Sequence, residues 1–186
     1  MKTKQDVIHQ DIIKTKIFLI KKEKVPEDFT SSQGNIFQWI WLPSSNVMEL
    51  LNIRNKEHVL SNMRNSLPLT KEMHMDFLYK YNSLHRFDFV LLNKDNGDYV
   101  GGINITLTDY GFEIGKYIGN ENYLGQGISY LMSESFISFV KENIKEIKKI
   151  IAVTKQDNFI NINLNFKLGF KIVQPIEQNY WLMEMK

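Results

Sequence analysis

Gly125 and Gly127, two glycines one residue apart, come immediately before a stretch from Ile128 to about Asn143 whose apolar residues recur at helical spacing. Glycines at a helix start leave consecutive backbone N–H groups uncovered, and the helix dipole adds partial positive charge at the same place. A loop of this kind can bind phosphate. Because Gly-x-Gly pairs are common in loops, the meaning of this pair depends on the residues around it.

Two side chains could take part in proton transfer. Glu113 lies in a predicted strand from Phe112 to Ile118, where period-two alternation puts Glu113 and Tyr117 on the same face. His74 lies in a helix predicted to begin after Thr70, and an imidazole titrates near neutral pH. A surface carboxylate and a packing histidine are the plain structural alternatives, and both remain open.

The composition indicates one globular domain. The chain has 186 residues, of which 43% are hydrophobic and 12% aromatic, which suits a single domain over residues 1–186 whose first 40 residues are a strand-forming extension. The net charge is +2 from 23 basic and 21 acidic residues. Since the lysine clusters are interleaved with other side chains, they predict a solvated face and no nucleic-acid partner.

Several kinds of site are excluded or disfavoured. The chain has no cysteine, which excludes a disulfide framework, thiolate zinc sites and a Cys nucleophile. The four histidines share no metal-ligand spacing, so we expect no metal. No apolar run approaches the ~20 residues that a membrane helix needs, and the N-terminus lacks the apolar core of a signal peptide. We therefore expect a cytoplasmic protein without a membrane partner.

The first part of the chain predicts two strands followed by helices. Residues 1–12 are polar and weakly helical, whereas β-branched and aromatic residues from Ile12 to Ile20 favour a strand. The other predicted elements are a loop at 26–34, a strand from Ile36 to Leu42, helices at Val47 to Ile53 and His58 to Met63, and the helix capped by Thr70.

The second part of the chain predicts a mixed sheet with helices on both faces. Its predicted strands are Phe87 to Leu92, Tyr99 to Leu107, Phe112 to Ile118, Lys149 to Thr154, Phe170 to Ile176 and Tyr180 to Met185, with helices at Ile128 to Asn143 and Phe159 to Leu168. A strand, loop, helix and strand form a right-handed crossover by default. The strands on either side of the glycine loop and its helix should therefore be parallel, with the loop at their carboxyl end.

The glycine loop and a downstream segment resemble the Gcn5-related N-acetyltransferase (GNAT) family. The family's Arg/Gln-x-x-Gly-x-Gly/Ala loop corresponds to Asn122-x-x-Gly125-x-Gly127, with Asn in place of Arg or Gln. Its later Asn-x-x-Ser/Ala stretch, ending in Gly-Phe, is similar to Asn158 to Asn161 followed by Gly169-Phe170. The distance between the two motifs also agrees with the family.

A narrower resemblance is to the branch that includes ribosomal-protein N-terminal acetyltransferases and nucleotide-sugar N-acetyltransferases. The residues that carry it are Ile53-Arg54-Asn55, Thr70 to His74, Val100-Gly101-Gly102-Ile103 and Glu113 to Gly119. The resemblance covers about residues 45–175. It implies an α/β (α+β) GNAT fold, with a central mixed, mostly antiparallel sheet of about seven strands flanked by helices. A splayed parallel strand pair would hold acetyl-CoA.

The resemblance also implies which residues bind acetyl-CoA. The pyrophosphate would lie on the N–H groups of Leu124 to Ile128, in the loop that begins at Asn122. The pantetheine arm would add to the strand edge at Tyr117, Ile118 and Gly119. The amide of Asn158 would bond the pantetheine with the help of Asn161, although an amide at that place can also cap a helix. The full set of implied contacts is Tyr117, Ile118, Gly119, Asn122, Leu124, Gly125, Gln126, Gly127, Ile128, Asn158 and Asn161.

Attack on a thioester needs a deprotonated amine, and Glu113 is the first candidate for the base, with His74 as the alternative. Many family members have a Tyr four residues before the Gly of Gly-Phe, acting as a general acid toward the coenzyme thiolate, whereas this chain has Asn165. Asn cannot donate a catalytic proton. The possible substitutes are Tyr123, Tyr130 and Tyr180. An acceptor pocket could be lined by Arg54 with Trp39, Trp41, Tyr79, His85 and Phe87, although aromatic residues are more often core.

The implied function is transfer of acetyl from acetyl-CoA to a primary amine by direct attack. The acceptor would be a small molecule or a peptide, with an amino-sugar nucleotide and a protein or peptide N-terminus both open. The alternative is a catalytically decayed CoA-binding module that acts through a protein partner, because Asn122 and Asn165 replace the family's residues. The chain would act as a monomer or a homodimer.

Overall fold

The computed structural model describes residues 4–177 and 179–186, and these form helices on both faces of one sheet. The helices are α1 (Lys4–Lys21), α2 (Val47–Arg54), α3 (Glu57–Leu60), α4 (Lys71–Lys80), α5 (Ile128–Asn143) and α6 (Phe159–Lys167). The strands are β1 (Phe29–Thr30), β2 (Ile36–Trp41), β3 (Arg86–Asn93), β4 (Tyr99–Thr108), β5 (Gly111–Ile118), β6 (Ile150–Lys155), β7 (Phe170–Ile176) and β8 (Tyr180–Met185). The predicted elements from Ile36 onward are confirmed, with boundary differences of one to a few residues.

The sheet has eight strands in the order β1-β2-β3-β4-β5-β6-β8-β7. Neighbouring strands are antiparallel except β5 and β6, which are parallel as predicted. These two strands pair only at Phe112 with Ile150 and at Glu113 with Ile151. Toward their carboxyl ends they are no longer paired, which opens a cleft between them. The strand beyond the predicted seven is the two-residue β1, in a stretch predicted as a loop.

The N-terminal segment is a helix, so the predicted strand from Ile12 to Ile20 is wrong, and the strands within the first 40 residues are β1 and most of β2. Ile12, Lys16 and Leu19 are each at most 1% exposed, and their spacing of four and then three residues places them on one helix face. That periodicity outweighs the β propensity of the individual residues. The predicted helical start at residues 1–12 agrees with α1 from Lys4 onward, and residues 1–3 lie outside the described part.

The main core lies on one face of the sheet, between the strands and helices α1, α5 and α6. Its members include Ile12 and Leu19 of α1, Phe89 of β3 and Phe136 of α5, all almost fully buried. The buried ammonium of Lys16 donates hydrogen bonds to the carbonyl oxygens of Tyr81, Leu84 at 2.8 Å and Arg86 at 3.2 Å. Desolvation lowers the pKa of Lys16 to about 8. These bonds join α1 to the residues around the start of β3.

The opposite face of the sheet carries α2, which packs on β4, and α4, which packs on α2. Asn46 caps α2 by accepting from the N–H groups of Met48 and Glu49, and Thr70 caps α4 as predicted. Asn55 joins the two helices, because its side chain exchanges two hydrogen bonds with the backbone of Leu69, at 2.8 and 2.9 Å. The helices thus enclose a space above β4 and β5.

Candidate active site

The glycine loop adopts the backbone conformation that only glycine takes without strain. Gly125 and Gly127 both have φ of +74°, and Gly127 is the N-cap of α5. In the described part of the chain, the N–H groups of residues 125–128 have no acceptor, whereas that of Leu124 donates to the carbonyl of Glu121 at 3.1 Å. A Cβ at either glycine would meet nothing within 4 Å. The loop therefore presents free donors to open space at a helix N-terminus, the arrangement that binds an anion.

Asn122 contributes to the loop through its backbone. Its carbonyl oxygen accepts from Nε2 of Gln126 at 2.6 Å, and its N–H donates to Oδ1 of Asn120 at 3.1 Å. The carbonyl contact fixes Gln126 across the turn. Both contacts are made by the backbone of Asn122, so they do not depend on the Arg or Gln side chain that the resemblance leads one to expect at this position.

The cleft between β5 and β6 brings together the other predicted coenzyme contacts. Tyr117, Ile118 and Gly119 lie at the end of β5, and Asn158 and Asn161 lie at the start of α6. Oδ1 of Asn158 caps α6 by accepting from the N–H of Asn161 at 3.1 Å, so the capping alternative is observed. Nδ2 of Asn161 donates to Oγ1 of Thr154 at 3.2 Å. The two amides are thus fixed relative to β6.

Residues 57–65, α3 and the turn after it, cross this cleft, and we call them the strap. Its side chains take two of the predicted coenzyme positions: Nε2 of His58 lies 3.0 Å from the carbonyl oxygen of Ile118, and Oδ1 of Asn62 accepts from Nδ2 of Asn158 at 2.8 Å. The other wall is bonded as well, since Nζ of Lys155 donates to the carbonyl of Ser61 at 2.5 Å. The strap therefore bridges β5 and β6 where these strands are unpaired.

Lys116 reaches into the same cleft from β5. Its ammonium donates to Oδ1 of Asn165 at 2.7 Å, and Nδ2 of Asn165 donates to Oγ1 of Thr154 at 3.0 Å. Asn165 is fully buried. Desolvation lowers the pKa of Lys116 to about 8. A cationic donor thus lies beside the position where the family commonly has a tyrosine.

The three tyrosines considered as substitutes lie elsewhere. The hydroxyl of Tyr123 donates to Asp98 at 2.8 Å, and that of Tyr130 donates to Glu134 at 2.9 Å. Tyr180 packs against the cluster of Ile151, Ile176 and Leu182, whereas Asn165 contacts Met183, which belongs to the main core on the other face of β8. Among the tyrosines and Lys116, it is the lysine that contacts Asn165.

A cavity of about 310 Å³ lies next to the cleft, between the α2/α4 pair and the sheet. Its polar lining includes Arg54, His74, Arg86, Asp88 and Asn104, and its floor includes Gly102, Gly115 and Tyr117. The volume is that of a small-molecule site, and the shared residue Tyr117 connects it to the coenzyme cleft.

Arg54 and His74 carry enclosed polar atoms without a partner in the described chain. These atoms are Nη1 of Arg54 and Nε2 of His74. The side chain of Asp88, by contrast, is bonded by Arg86, with Nε to Oδ2 at 2.8 Å. Desolvation lowers the pKa of His74 below its ordinary 6.5, so the ring is neutral at pH 7 and can accept a proton.

Gly102 of β4 and Gly119, which follows β5, position Arg54. A Cβ at Gly119 would lie 2.3 Å from the carbonyl oxygen of Ile53, so the last turn of α2 rests directly on that backbone. A Cβ at Gly102 would lie 2.8 Å from the ring of Tyr117. With that space free, the ring lies under Arg54, whose guanidinium carbon is 5.8 Å from the ring centroid.

Of the two candidate bases, His74 lines the cavity and Glu113 does not. The register of β5 is continuous, so Glu113 and Tyr117 face the same side as predicted. Oε1 of Glu113 lies 2.5 Å from Nη2 of Arg64 in the strap. The aromatic residues Trp39, Trp41 and Phe87 belong to the core, and Tyr79 is 90% exposed.

Sequence reasoning missed Lys116, the Arg86 and Asp88 pair, and the strap. A signal for Lys116 existed, because alternation places it on the face that buries Phe112 and Ile114. The same rule could have found Asp88, which lies between two apolar residues in a buried strand. His58 and Asn62 had no signal, since their contacts depend on where the strap crosses the sheet.

The described residues contain neither a candidate metal site nor a helix suited to a membrane. Among the described residues, no three His, Cys, Asp or Glu side chains are grouped so that they could hold a metal ion. In that same part of the chain, no helix combines the length and the apolar character needed to cross a membrane.

Comparisons with solved structures agree on the fold. A domain from Methanocaldococcus jannaschii superposes with a TM-score of 0.70 at 24% identity, over 81% of this chain and 98% of that one. The ribosomal-protein-S5-alanine acetyltransferase from Vibrio fischeri gives 0.70 at 18% identity, over 87% and 95%. Spermidine N-acetyltransferase from Vibrio cholerae, in complex with CoA and spermine, gives 0.65 at 14% identity, over 80% and 92%.

Sequence comparison supplies the family. No curated protein matches the chain significantly. The profile of the acetyltransferase (GNAT) domain matches residues 41–171, which is well over half of the chain and includes the glycine loop, the cleft and the cavity. The predicted fold and family are therefore confirmed: the chain belongs to the GNAT acetyltransferase family.

Proposed function

We propose that this protein transfers the acetyl group of acetyl-CoA to a primary amine by direct attack of the amine. The observation that carries the proposal is the pair of left-handed glycines with free N–H groups at the start of α5, beside the unpaired edges of β5 and β6. Acetyl-CoA would supply an activated acetyl thioester. Since α1 contributes to the core of the same sheet, we propose that the whole chain forms one acetyltransferase unit.

The residues available to hold the coenzyme fit its chemistry. The N–H groups of residues 125–128 suit a pyrophosphate, and the backbone edge at Tyr117 to Gly119, which is not paired with β6, suits the amides of pantetheine. In the structure, His58 contacts the carbonyl of Ile118 and Asn62 accepts from the amide of Asn158. When the coenzyme binds, its pantetheine arm would replace His58 and Asn62 as the partner of these two groups. The carbonyl of Ile118 and the amide of Asn158 would thus keep a hydrogen-bond partner with and without the coenzyme.

We propose His74 as the group that receives the proton of the attacking amine. The residue lines the cavity, its enclosed Nε2 has no partner among the described residues, and its lowered pKa keeps the ring neutral at pH 7. Glu113 remains the alternative base, but its carboxylate is bonded to Arg64. An amine of pKa near ~10.4 needs such an acceptor, because an ammonium cannot attack.

We propose Lys116 as the group that stabilises the departing thiolate. Its ammonium would occupy the role that the family's tyrosine hydroxyl has, and Asn165 orients it through the 2.7 Å hydrogen bond. A thiol of pKa near ~8.5 needs only modest help to leave, and a nearby positive charge provides it.

The proposal is tested in two steps. Isothermal titration with acetyl-CoA measures binding, and no detectable heat at millimolar coenzyme would reject it. Release of CoA thiol with a panel of amines then measures transfer. Binding without thiol release from any amine would instead favour the non-catalytic module, which the replacement of the family's tyrosine by Asn165 motivates. The reaction is proposed to take place in the cytoplasm, a reducing compartment that suits a chain without cysteine.

A further inference from the structure

Arg54 is a partly buried cation without an acidic partner in the described chain. Its Nη1 is enclosed and unbonded, and the residue lines the cavity beside the coenzyme cleft. We propose that the amine substrate carries an anionic group, a phosphate or a carboxylate, that pairs with Arg54. This inference rests on the proposed function, since it names the class of amine that the cavity takes.

The position of Arg54 is built by the fold. The last turn of α2 rests on the backbone of Gly119, and the ring of Tyr117 lies under the guanidinium. Burial raises the pKa of Tyr117, so its hydroxyl is neutral at pH 7 and supplies no counter-charge. The guanidinium stays charged although desolvation lowers its pKa. A charge fixed in this way is costly unless a ligand pairs with it.

The remaining charges around the cavity do not compensate Arg54. Asp88 is the acidic residue of the lining, and its carboxylate is engaged by Arg86. Lys116 lies at the edge of the cavity and adds positive charge, and His74 is neutral. The net charge facing a ligand is therefore positive, which opposes polycations such as spermidine and favours an amine with a negative group.

A guanidinium suits both kinds of anion, because its fork of N–H donors pairs with carboxylates and phosphates in the same bidentate way. The shared chemistry is an oxyanion on the molecule that carries the amine. A carboxylate arm and a phosphate arm in the experiment separate the two sources.

The experiment compares amines with and without an anionic group. Glucosamine 1-phosphate is compared with glucosamine, and the amidated dipeptide Ala-Asp with Ala-Asn, using wild type, Arg54→Gln and Arg54→Lys. Lys71→Gln removes the same charge from an exposed position on α4 and serves as the control. Binding is measured by titration in the presence of CoA, and KM by thiol release.

We expect wild type to prefer the charged member of one pair by roughly 10- to 100-fold in KM and in Kd. Arg54→Gln should abolish this preference, and Lys71→Gln should keep it. Arg54→Lys should retain part of the preference, because it keeps the charge and loses the fork. The pair that responds identifies phosphate or carboxylate as the group.

Equal binding of the charged and neutral members in both pairs would overturn the inference. So would a preference that Arg54→Gln retains. The binding titration decides the question even if no amine is acetylated, so a failure of the proposed transfer reaction is distinguishable from a failure of this inference. If Arg54→Gln does not fold, Arg54→Lys tests the inference instead: a reduced preference for the charged member supports it, and a preference equal to that of wild type contradicts it.

Discussion

The ammonium of Lys116 in β5 and the amide oxygen of Asn165 in α6 are joined by a 2.7 Å hydrogen bond in the cleft. Asn165 occupies the position at which many relatives have a tyrosine that protonates the coenzyme thiolate. An amide cannot do so, but it can orient a cation that does the same electrostatic work. The bond thus suggests how this chain could catalyse transfer without the tyrosine.

Replacing Lys116 by Met should lower kcat about 10- to 100-fold while acetyl-CoA still binds, because the leaving thiolate loses its positive neighbour. The wild-type rate should fall as the pH rises through about 8, where Lys116 becomes neutral, and the variant should lack this alkaline fall. The measurement is the pH dependence of kcat. An unchanged rate and profile would show that Lys116 only packs against Asn165.

Replacing His74 by Gln should remove the acidic limb of the rate profile. In wild type the rate should fall as the pH drops through the lowered pKa of His74, below 6.5, because a protonated ring cannot accept the amine's proton. The variant should be slower by about 100-fold at pH 7. His9→Gln is the matched control, since that residue stacks on His85 away from the cavity. A His74→Gln enzyme with the wild-type profile would contradict the assignment.

Replacing Gly127 by Ala should weaken acetyl-CoA binding at least tenfold. The new Cβ would project into the open space at the loop, and the left-handed φ of +74° would add strain of about 1–2 kcal/mol. Gly34→Ala is a matched control, because Gly34 has φ of +88° and equally open surroundings in a distant turn. Titration and thermal unfolding of both variants separate strain from binding. Equal coenzyme affinity in the two would argue against the loop as the phosphate site.

Glu113→Gln and Arg64→Gln both break the contact between β5 and the strap. If Glu113 only forms this ion pair, the two variants should behave alike, with turnover within about fivefold of wild type, because a partly exposed pair contributes at most about 1 kcal/mol. If Glu113 is instead the base, Glu113→Gln alone should lose about 100-fold and its acidic limb. Parallel pH profiles of the two variants decide between these roles.

Local patterns predicted much of the sheet and the coenzyme loop. Period-two alternation located β5 and the facing of Glu113 and Tyr117, and the glycine pair marked the start of α5. These features depend on residues close in the chain, so a single sequence contains the information. The predicted strand in the N-terminal segment is wrong because the helical spacing of Ile12, Lys16 and Leu19 outweighs the β propensity of the individual residues.

The cavity and the strap could not be predicted in the same way. That Nη1 of Arg54 has no partner can be seen only in the folded chain, where the carboxylate of Asp88 is hydrogen-bonded to Arg86. The bond from His58 to the carbonyl of Ile118 spans sixty residues of chain and depends on the path of the strap. Partners that are distant in sequence leave no periodic signal.

The contact between Gly119 and the carbonyl of Ile53 gives the two substrates a common mechanical support. Gly119 ends the edge to which the coenzyme would add, and Ile53 precedes the arginine proposed to pair with the acceptor. A displacement on one side of this close approach would press on the backbone of the other side, because no side chain lies between them to yield. We therefore expect the two ligands to be coupled, and thermodynamic linkage makes such a coupling reciprocal: each ligand would change the affinity of the other by the same factor, which titration of either in the presence of the other would measure.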